Sequence, residues 1–392
     1  MLVTLATRTF TPEPTAAALR LGALARALAA GGDRVRVLTS RLAPSVARDS
    51  RQSGDGGVGA GEGCSLISVR RAPVLRDRTG AVRGYVSYMS FDIPLVARLL
   101  AGPRPDVVVS EPPPTTGAAV RIACAVRRIP YVYYCADIVS DAAALAGVPG
   151  LVVRTVAGLE SFALRGARRV IAVSDGVAGR ARDLGARDVT VVPNGVRVPD
   201  AVAASPPEGF PACDGPVFVY AGTVAQWLAP EIFVDAFERA RARLGDARLV
   251  FVGQGSGWDA LAEHCRGVAG VDMIPAVSAE EADRWMARAA ATLASLRPGG
   301  YDYAYPTKIL ASLAQGTPVI YAGPGQAARD IAEGELGVAC NLDVDEVAEA
   351  MVGLALGTGA WVGSGGARAW VSAHRSVEAS SRAAAAVVRS AL

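Results

Sequence analysis

The chain has very little lysine and very little histidine. Lys308 is the one lysine among 40 basic residues, and the two histidines are His264 and His374. Both histidines fall in helix-like segments away from strand ends, which argues against a histidine-based catalytic triad and against a multi-histidine metal site. Neither of these two kinds of site is therefore expected, and no motif of the sequence indicates a cofactor.

Other absences narrow the class of protein further. The six cysteines lack paired spacing, which argues against a zinc site or a disulfide framework and favours a reducing, cytoplasmic location. They are Cys64, Cys124, Cys135, Cys213, Cys265 and Cys340. No uncharged apolar run reaches the ~18 residues of a membrane-spanning helix, and residues 1–7 read as a buried first strand rather than a signal peptide. A Walker loop is missing, and Gly253–Gly257 lacks the spacing of a dinucleotide fingerprint.

The net charge of +3 conceals a difference between the two halves of the chain. Residues 1–200 carry 26 Arg against 16 Asp and Glu, a balance of +10, whereas residues 201–392 carry 14 basic against 21 acidic residues, a balance of −7. A basic first half suits an anionic membrane surface or a phosphorylated acceptor. Arginine spread over solvated helices explains the same count. Nucleic acid is the weaker interpretation, because no basic stretch is interleaved with aromatic residues.

Short apolar runs alternate with helical patterns in the first half, which is typical of a parallel sheet covered by helices on both faces. The predicted strands are Leu2–Thr7, Val35–Thr39, Leu66–Val69, Val107–Ser110, Tyr131–Tyr134, Val170–Val173 and Val189–Val192. The predicted helices include Ala16–Ala30, Thr116–Arg127, Val152–Arg165 and Asp175–Leu184. The Gly-rich stretch Ser50–Gly63 is predicted to be a surface loop.

A second alternating set follows a cluster of prolines that begins at Pro193 and ends at Pro211. Its predicted strands are Val217–Tyr220, Arg248–Val252, Val271–Ile274, Ala291–Leu296 and Val319–Tyr321. Its predicted helices include Pro230–Ala242, Trp258–His264, Glu280–Ala289, Lys308–Gln315 and Val344–Leu356. We therefore expect an α/β protein with two doubly wound, Rossmann-like domains facing each other across a cleft. The expected ranges are a first domain 1–198, a linker 199–214, a second domain 215–369 and a helical tail 370–392 that packs back on the first domain.

Candidate phosphate-binding groups follow strands of the second half. Arg297 and Lys308 bracket a loop rich in glycine and tyrosine, and two cations so placed predict a diphosphate clamp. Lys308 also stands where a polar loop gives way to a helix, whose free N–H groups and dipole favour an anion. Placement of Lys308 on a solvated face by chance is the alternative. The other candidates for contact with a bound donor are Gly222, Thr223, Gly253, Gly255, Tyr305 and Thr307.

In the first half, the loop after the first strand contains Phe10, Thr11 and Glu13, which we predict to contact an acceptor or a phosphate. An ordinary connection with Thr15 as the helix N-cap is the alternative.

Two carboxylates are candidate catalytic groups in the first half. Glu111 precedes three prolines that would hold it rigidly, and Asp137 follows a strand where it could orient or deprotonate a hydroxyl. A rigid turn with an exposed Glu111, and a helix cap at Asp137, are the structural alternatives.

Several short motifs, taken in order, resemble the retaining, nucleotide-sugar-dependent glycosyltransferases of family 4, and especially the bacterial branch that builds surface polysaccharides and related glycans. The resemblance covers nearly the whole chain. In the first half it rests on Phe10–Pro14, Arg83–Tyr85, Ser87-Tyr88, Pro112-Pro113, Asp137, Val173-Ser174 and Pro193–Val196. In the second half it rests on Tyr220–Gly222, Val252–Gly255, Tyr305–Lys308 and Gly316–Ile320.

The resemblance implies a GT-B fold, a nucleotide-sugar donor held mainly by the second domain and an acceptor facing the first. It implies retention of the anomeric configuration without a bound metal, with helix dipoles and cations stabilising the departing diphosphate. A glycan, a lipid-linked molecule or a small molecule would be the acceptor. From the cysteines and the charge of the first half, the expected location is the cytoplasm, with peripheral contact at the inner membrane face through the basic first domain. Phe91, Ile93 and Leu95 lie in a helix-like segment that would either touch a membrane or belong to the core, the latter being favoured.

The sequence departs from the family pattern at two places. The family has two glutamates separated by seven residues, of which the second holds the donor ribose, and the matching positions are Tyr303 and Ala311. The arginine and lysine that many relatives carry after the glycine matching Gly222 are absent from Thr223–Trp227. Two other functions therefore stay open: a degenerate GT-B scaffold protein, and a nucleotide-sugar epimerase that would use Glu111, Asp137 and Asp141.

Overall fold

The computed structural model describes residues 1–13, 15–43, 46–47, 66–76, 84–145, 148–299 and 304–392. The predicted loop Ser50–Gly63 lies outside the described residues, as do Pro14, Cys64, Arg83 and Tyr303. The chain divides into two compact units, of which unit 1 comprises residues 1–195 and 377–392 and unit 2 comprises residues 196–376.

Unit 1 is built on a seven-stranded parallel sheet with the strand order β3-β2-β1-β4-β5-β6-β7. The strands are β1 (Leu2–Ala6), β2 (Arg34–Ser40), β3 (Ile67–Ala72), β4 (Val107–Ser110), β5 (Tyr131–Cys135), β6 (Arg169–Ala172) and β7 (Val189–Val191). The described helices of its N-terminal part are α1 (Ala16–Ala30), α2 (Tyr85–Ala101), α3 (Pro114–Arg127), α4 (Val139–Leu145), α5 (Gly150–Gly166) and α6 (Asp175–Asp183). The central strands β1, β4 and β5 are almost wholly buried, as expected for a parallel sheet with helices on both faces.

Unit 2 has a six-stranded parallel sheet with the order β10-β9-β8-β11-β12-β13. Its strands are β8 (Val217–Thr223), β9 (Arg248–Gln254), β10 (Val271–Pro275), β11 (Ala291–Ser295), β12 (Val319–Ala322) and β13 (Gly337–Cys340). Its described helices are α7 (Ile232–Leu244), α8 (Trp258–His264), α9 (Ala279–Arg288), α10 (Thr307–Ala314), α11 (Gln326–Glu333), α12 (Val344–Ala355) and α13 (Gly363–His374). The two sheets confirm the predicted class of two Rossmann-like domains.

Local sequence explains where many helices begin. The Thr15 hydroxyl accepts a hydrogen bond from the Ala18 N–H at 3.1 Å and starts α1. Ser174, Ser278 and Asp343 cap α6, α9 and α12 in the same way. Each of these side chains supplies an acceptor for an N–H group that has no partner within its own helix. The predicted starts therefore agree with the structure to within a few residues.

The C-terminal segment differs from the single helical tail that the sequence suggested. Helix α13 ends at His374 and packs on α10 within unit 2, and a break at Arg375 and Ser376 precedes α14 (Val377–Arg389). Helix α14 packs on α1 in unit 1. The structural boundary therefore lies after residue 376 rather than after 369, and the proline-rich residues 199–214 belong to unit 2.

The strand β13 and the helices α2, α4 and α11 have no matching range among the predicted elements. For β13 and α2 the sequence gives the reason. The edge strand β13 is four residues long and reads Gly-Val-Ala-Cys, which has only one β-branched residue. Helix α2 contains Pro94 in its interior, a residue that normally argues against a continuous helix. No helix in the described ranges is long and apolar enough to cross a bilayer.

Candidate functional site

Lys308 lies at the start of α10, where its amine faces the end of β8. Its Nζ is 3.4 Å from the centre of the Tyr220 ring and donates a hydrogen bond to the Thr223 carbonyl oxygen at 3.3 Å. Gly222, at the end of β8, has a φ of +122°, and a Cβ there would lie 3.8 Å from Nζ. Among the described residues, the Lys308 amine has no carboxylate partner. The described residues therefore supply no negative charge that would balance the ammonium form of Lys308.

Burial lowers the pKa of the Lys308 amine from its ordinary value of 10.5 to about 7. The Tyr220 ring face and the Thr223 carbonyl favour the ammonium form, but neither carries a full negative charge. A phosphate placed beside this amine would supply that charge and raise its pKa. Binding of an anion beside this amine would therefore be coupled to its protonation.

A cavity of about 490 Å³ in unit 2 opens beside Lys308. Pro306 stands at the N-cap position of α10 without a side-chain hydrogen bond, so the first N–H groups of the helix, near Thr307, are available to an anion. No cation other than Lys308 is among the described residues that line this cavity. Its lining includes Gly222, Thr223, Tyr305, Thr307 and Lys308, all of which the sequence predicted to bind the donor.

Trp227 lines the same cavity and was missed as a binding residue by the sequence analysis. It belongs to a short 3₁₀ turn, Gln226–Leu228, and its side chain is exposed. The backbone of this turn is held by the Ser295 hydroxyl, which donates to the Leu228 carbonyl, and by the Arg297 N–H, which donates to the Trp227 carbonyl at 2.8 Å. An exposed indole on a fixed backbone offers a flat apolar surface for a ligand.

Arg297 is not beside Lys308 in the cavity lining. Its guanidinium forms an ion pair with Glu231 at 2.7 Å and also donates to the Gln226 carbonyl at 3.4 Å. The structure therefore places the two cations of the predicted clamp in different surroundings. Arg297 fixes the turn that carries Trp227, whereas Lys308 faces the cavity.

Two glycines at the end of β9, Gly253 and Gly255, are required by close packing of the backbone. A Cβ on Gly253 would lie 2.0 Å from the Gly222 carbonyl oxygen, and one on Gly255 would lie 2.0 Å from the Val224 carbonyl oxygen. Neither position can hold a side chain without moving the backbone. Close approach of the chain to itself thus accounts for Gly253 and Gly255, which do not line the cavity.

Tyr305, just before α10, and Ala311, within it, also line the cavity. Arg375 lies over the Tyr305 ring at 4.9 Å and forms a buried ion pair with Asp330, and burial raises the pKa of the Tyr305 hydroxyl. Ala311 lies one turn after Lys308 on α10. A methyl group therefore faces the cavity where the family pattern would put a carboxylate.

In unit 1, the loop after β1 is fixed by arginines from the β3 region. Glu13 is buried and pairs with Arg76 at 2.8 Å, while Arg71 donates to the Thr11 carbonyl at 2.7 Å. Phe10 is fully buried in the core between the sheet and α1. The buried side chains of Phe10 and Glu13 thus hold this loop in place and are not exposed on its surface.

Glu111, a predicted catalytic residue, is held in a buried network. Its carboxylate accepts a hydrogen bond from the Thr7 hydroxyl at 2.8 Å and pairs with Arg20 at 3.1 Å. Arg20 also donates to the Asn194 side chain and lies 5.1 Å from the Tyr134 ring centre. The Glu111 side chain is only 5% exposed. The alternative of a rigid turn with an exposed Glu111 is therefore wrong, and the carboxylate is not open to solvent.

Asp137 lies at the end of β5 and stays partly exposed, with one carboxylate oxygen accepting the Ile138 N–H at 2.8 Å. The following helix, α4, is capped by Glu160, which accepts from the Val139 and Ser140 N–H groups at 2.9 and 3.2 Å. Burial raises the pKa of Glu160. Asp141 is paired through both carboxylate oxygens with Arg180 at 2.8 Å. Asp137 and Asp141 are therefore partly exposed, whereas Glu111 is buried.

Some buried polar groups at the carboxyl edge of the unit 1 sheet lack a hydrogen-bond partner among the described residues. The Ser110 and Tyr133 hydroxyls, on paired positions of β4 and β5, are two of them. The Arg8 guanidinium, just after β1, lies 3.9 Å from the Tyr88 ring centre and has two further unmet N–H groups. Buried groups of this kind normally meet a ligand or an ordered water. They mark a candidate polar site within unit 1.

The described residues include no cluster of three or more His, Cys, Asp or Glu side chains that could hold a metal ion. Trp227, which lines the cavity, and Glu160, which caps α4, are among the residues that the sequence did not indicate. An aromatic residue soon after a strand-ending glycine is the signal that could have drawn attention to Trp227.

Comparison with protein families matches both halves of the chain. Residues 15–195 match the glycosyl transferase 4-like domain, and residues 215–356 match the glycosyl transferases group 1 domain. Together the two matches span most of the chain. No curated protein matches the sequence.

Solved structures share the architecture over the full length of the chain. HepE from Anabaena, solved in complex with UDP and glucose, has a TM-score of 0.67 at 16% identity, with all of both chains covered. Sucrose-phosphate synthase from Thermosynechococcus elongatus has a TM-score of 0.67 at 15% identity, covering 100% of this chain and 98% of that one. A glycosyltransferase from Rickettsia africae has a TM-score of 0.67 at 12% identity, with the same coverage. At such low identities the likeness establishes the fold.

Proposed function

The chain belongs to the glycosyltransferases of GT-B fold, and we propose that it moves a hexose from a nucleoside-diphosphate donor to an acceptor hydroxyl, with retention of anomeric configuration. The observation that carries this proposal is the Lys308 amine, which lacks an anionic partner among the described residues and faces a cavity of about 490 Å³. A diphosphate supplies the missing charge. UDP is the first nucleotide to test, because HepE was solved with UDP and glucose.

The proposed donor site uses three features of unit 2. The Lys308 ammonium and the uncapped N-terminus of α10 stabilise the charge that develops on the departing diphosphate. Trp227 provides an apolar surface for a ring of the donor. Since Ala311 carries no carboxylate, ribose recognition by a glutamate at that position plays no part.

The proposed transfer reaction uses neither a histidine nor a metal ion. The acceptor hydroxyl attacks the anomeric carbon on the face from which the diphosphate departs, which preserves the configuration. The departing phosphate oxygen takes the hydroxyl proton. Asp137 orients the acceptor, because its carboxylate is partly exposed at the end of β5.

Unit 1 would receive the acceptor, a glycan, lipid-linked molecule or small molecule, at the edge where Arg8, Ser110 and Tyr133 carry unmet polar groups. A cytoplasmic site of action, with peripheral contact at the inner membrane face, belongs to the same proposal. The epimerase alternative is disfavoured by the ion pairs of Glu111 and Asp141. A non-catalytic binding protein is the second candidate, and the methyl group of Ala311 in the cavity is the observation that favours it.

Product analysis separates these functions. We expect the full chain to form a glycoside from a nucleotide sugar and an acceptor, with the donor's anomeric configuration and at the same rate when EDTA is added. Nuclear magnetic resonance of the product reports the configuration. An inverted product would refute retention, and loss of turnover in EDTA would refute metal independence. Binding without any turnover would favour the scaffold protein.

Donor affinity should fall as pH rises above about 7. Because burial lowers the Lys308 pKa to about 7 in the free protein and a bound diphosphate raises it again, binding takes up a proton above that pH. Titration calorimetry with a nucleotide sugar should show about tenfold weaker binding at about pH 8.5 than at about pH 7.

The stability of the free protein should depend on pH in the opposite direction. Between about pH 7 and 10.5 the lysine holds more protons in the unfolded state than in the folded state. Its contribution to the free energy of unfolding therefore rises with pH across that window.

The control for this prediction is Lys308→Arg, whose guanidinium stays charged throughout the range. It should bind the donor with little dependence on pH. Calorimetry in two buffers of different ionisation enthalpy measures proton uptake by the unaltered chain directly. Absence of uptake at about pH 8.5 would contradict the assignment of this titration to Lys308.

A further inference from the structure

A second cavity, of about 680 Å³, lies in unit 1 where the end of α2 meets the strands β1, β2 and β3. Helix α2 buries Phe91 and Leu95 in the core and leaves Ile93 exposed, and its last turn forms one wall of the cavity. The lining shares no residue with the candidate polar site at the carboxyl edge of the same sheet. Four of the described residues that line it are arginines, so we call it the arginine pocket; they are Arg34, Arg36, Arg70 and Arg98.

Strand register brings these arginines together. Side chains two residues apart on a strand face the same side of the sheet, so Arg34 and Arg36 of β2 project together. Leu38 of β2 pairs with Arg70 of β3, which places Arg70 on that same face. Arg98, in the last turn of α2, lies over the face. Three elements thus direct four cations into one cavity instead of spreading them over a solvated surface.

The described residues supply no negative charge to the arginine pocket. None of its four arginines forms an ion pair with a described carboxylate. Asp33 precedes Arg34 in the chain, but it binds the N-terminal amine at 3.0 Å and Arg389 at 2.8 Å. Asp106 accepts a hydrogen bond from the Leu2 N–H at 2.6 Å. Both carboxylates beside the pocket are therefore engaged by other groups.

The positive charges of the pocket act on one another. Burial lowers the pKa of Arg36, and the charges of Arg127 and Arg98 lower it further. Burial also lowers the pKa of Arg98. A guanidinium group stays protonated in proteins, so loss of a proton does not relieve this repulsion. An anion bound in the pocket would relieve it.

Arg36 is buried and held in place with one nitrogen left open. Its Nε and Nη2 donate to the Thr4 hydroxyl at 3.2 and 3.0 Å, and Nη2 also donates to the Pro103 carbonyl at 3.0 Å. Its Nη1 has no partner among the described residues, and a Cβ on Gly102 would lie 3.0 Å from it. Glycine at position 102 therefore leaves room beside Nη1, and Arg36 presents a fixed donor to the pocket.

The carbonyl groups at the end of α2 would oppose an anion, but arginines already bind them. The Arg127 Nη1 donates to the Leu99 and Gly102 carbonyls at 2.5 and 2.9 Å. The Arg98 Nη2 donates to the Arg70 carbonyl at 2.6 Å, which leaves its Nε and Nη1 without a described partner. The wall that α2 contributes is therefore positive despite the direction of the helix dipole.

We propose that the arginine pocket binds a soluble small molecule that carries two or more phosphate groups. Guanidinium groups bind phosphate oxygens through paired N–H donors. Four cations exceed the charge of one phosphate, which is about −2, and suit a di- or triphosphate. The volume of about 680 Å³ also admits a compact organic group beside apolar wall residues such as Leu38 and Leu66.

The burial of Arg36 favours a small ligand over a macromolecule. A nucleic acid or a bilayer surface would reach the exposed Arg34 and Arg70 but not the open nitrogen of Arg36. A di- or triphosphate can enter the cavity and contact all three. The pocket belongs to unit 1, so this inference does not depend on what the Lys308 cavity of unit 2 binds.

Titration calorimetry of the full chain with inorganic pyrophosphate and tripolyphosphate tests this inference. Lys308→Ala serves as the parent protein, because it removes the cation that lines the described part of the unit 2 cavity. Tripolyphosphate should bind this parent with a Kd of about 0.1 mM or lower, and orthophosphate at least about tenfold more weakly. Adding Arg70→Ala or Arg98→Ala should weaken tripolyphosphate binding about tenfold each. Adding Ala101→Glu, which puts a carboxylate on the pocket wall, should weaken it at least as much.

The matched control is Arg154→Ala, because Arg154 is an exposed arginine of unit 1 that forms no described ion pair and lies outside the pocket lining. It should leave the affinity for tripolyphosphate unchanged. Melting curves of each variant guard against loss of fold. Binding of a nucleotide sugar by the unaltered chain reports unit 2 separately, so failure of this inference and failure of the proposed donor site are distinguishable.

Three outcomes would overturn the inference. Neither probe binds the unaltered chain, including the case in which only duplex RNA or anionic vesicles bind it. The probes bind the unaltered chain but not Lys308→Ala, which would place the phosphates in unit 2. The control Arg154→Ala loses as much affinity as Arg70→Ala, which would reduce the effect to net charge.

Discussion

Replacing Lys308 with alanine is expected to weaken binding of the preferred nucleoside diphosphate by about 100-fold. A hydrogen bond between charged groups contributes about 1.5–3 kcal/mol, and tenfold in affinity corresponds to about 1.4 kcal/mol. The upper part of this range applies because Lys308 is the cation that lines the described part of the cavity, whereas Arg297 is engaged by Glu231. Titration calorimetry with the diphosphate and with the free nucleoside provides the measurement.

Two comparisons make this result specific. Arg266→Ala removes a basic side chain that is exposed and paired with Glu263, so it should leave affinity unchanged. Binding of the free nucleoside should change little in Lys308→Ala, because the nucleoside has no phosphate. Equal affinity of Lys308→Ala and the unaltered chain for the diphosphate would place the phosphates elsewhere.

Replacing Glu111 with alanine is expected to lower the free energy of unfolding of unit 1 by about 3 kcal/mol. The substitution leaves Arg20 without its carboxylate in a site where the two side chains are only 14% and 5% exposed. It also leaves the Thr7 hydroxyl without one acceptor. Breaking a buried pair by removing one partner costs about 3–5 kcal/mol, and the remaining contacts of Arg20 with Asn194 and Tyr134 favour the lower end.

Denaturant unfolding followed by hydrogen exchange in unit 1 measures this loss. Asp188→Ala is the matched control, because Asp188 also pairs with an arginine in unit 1 but its side chain is 45% exposed. We expect the control to lose less than about 1 kcal/mol. If Glu111→Ala were as stable as the control but had lost turnover, the prediction would be wrong and Glu111 would be a catalytic residue.

The fold could be predicted from the sequence because its determinants are local. The strand Val107–Ser110 contains three consecutive β-branched valines, and α1 begins after a capping threonine. Alternation of such elements is enough to indicate two parallel sheets. The start of α10 was predicted within one residue for the same reason, since Pro306 ends the preceding loop.

The candidate sites could be predicted only in part, because partners distant in sequence decide what each charged side chain does. Glu111 is bound by Arg20, and Arg297 by Glu231, neither of which is visible from local spacing. The same holds for Glu160, which caps a helix that begins some 20 residues earlier. Lys308 lacks such a partner among the described residues, so its predicted position on a loop-to-helix junction was informative.

A thermal-shift panel tests the central claim most directly. The full chain and Lys308→Ala would each be melted with the common nucleoside diphosphates and their sugars. At a ligand concentration of roughly 100 times Kd, at least one ligand should raise the Tm of the unaltered chain by about 5 °C, and Lys308→Ala should lose most of that shift. No shift with any nucleotide, or an equal shift in both proteins, would contradict a diphosphate site at Lys308.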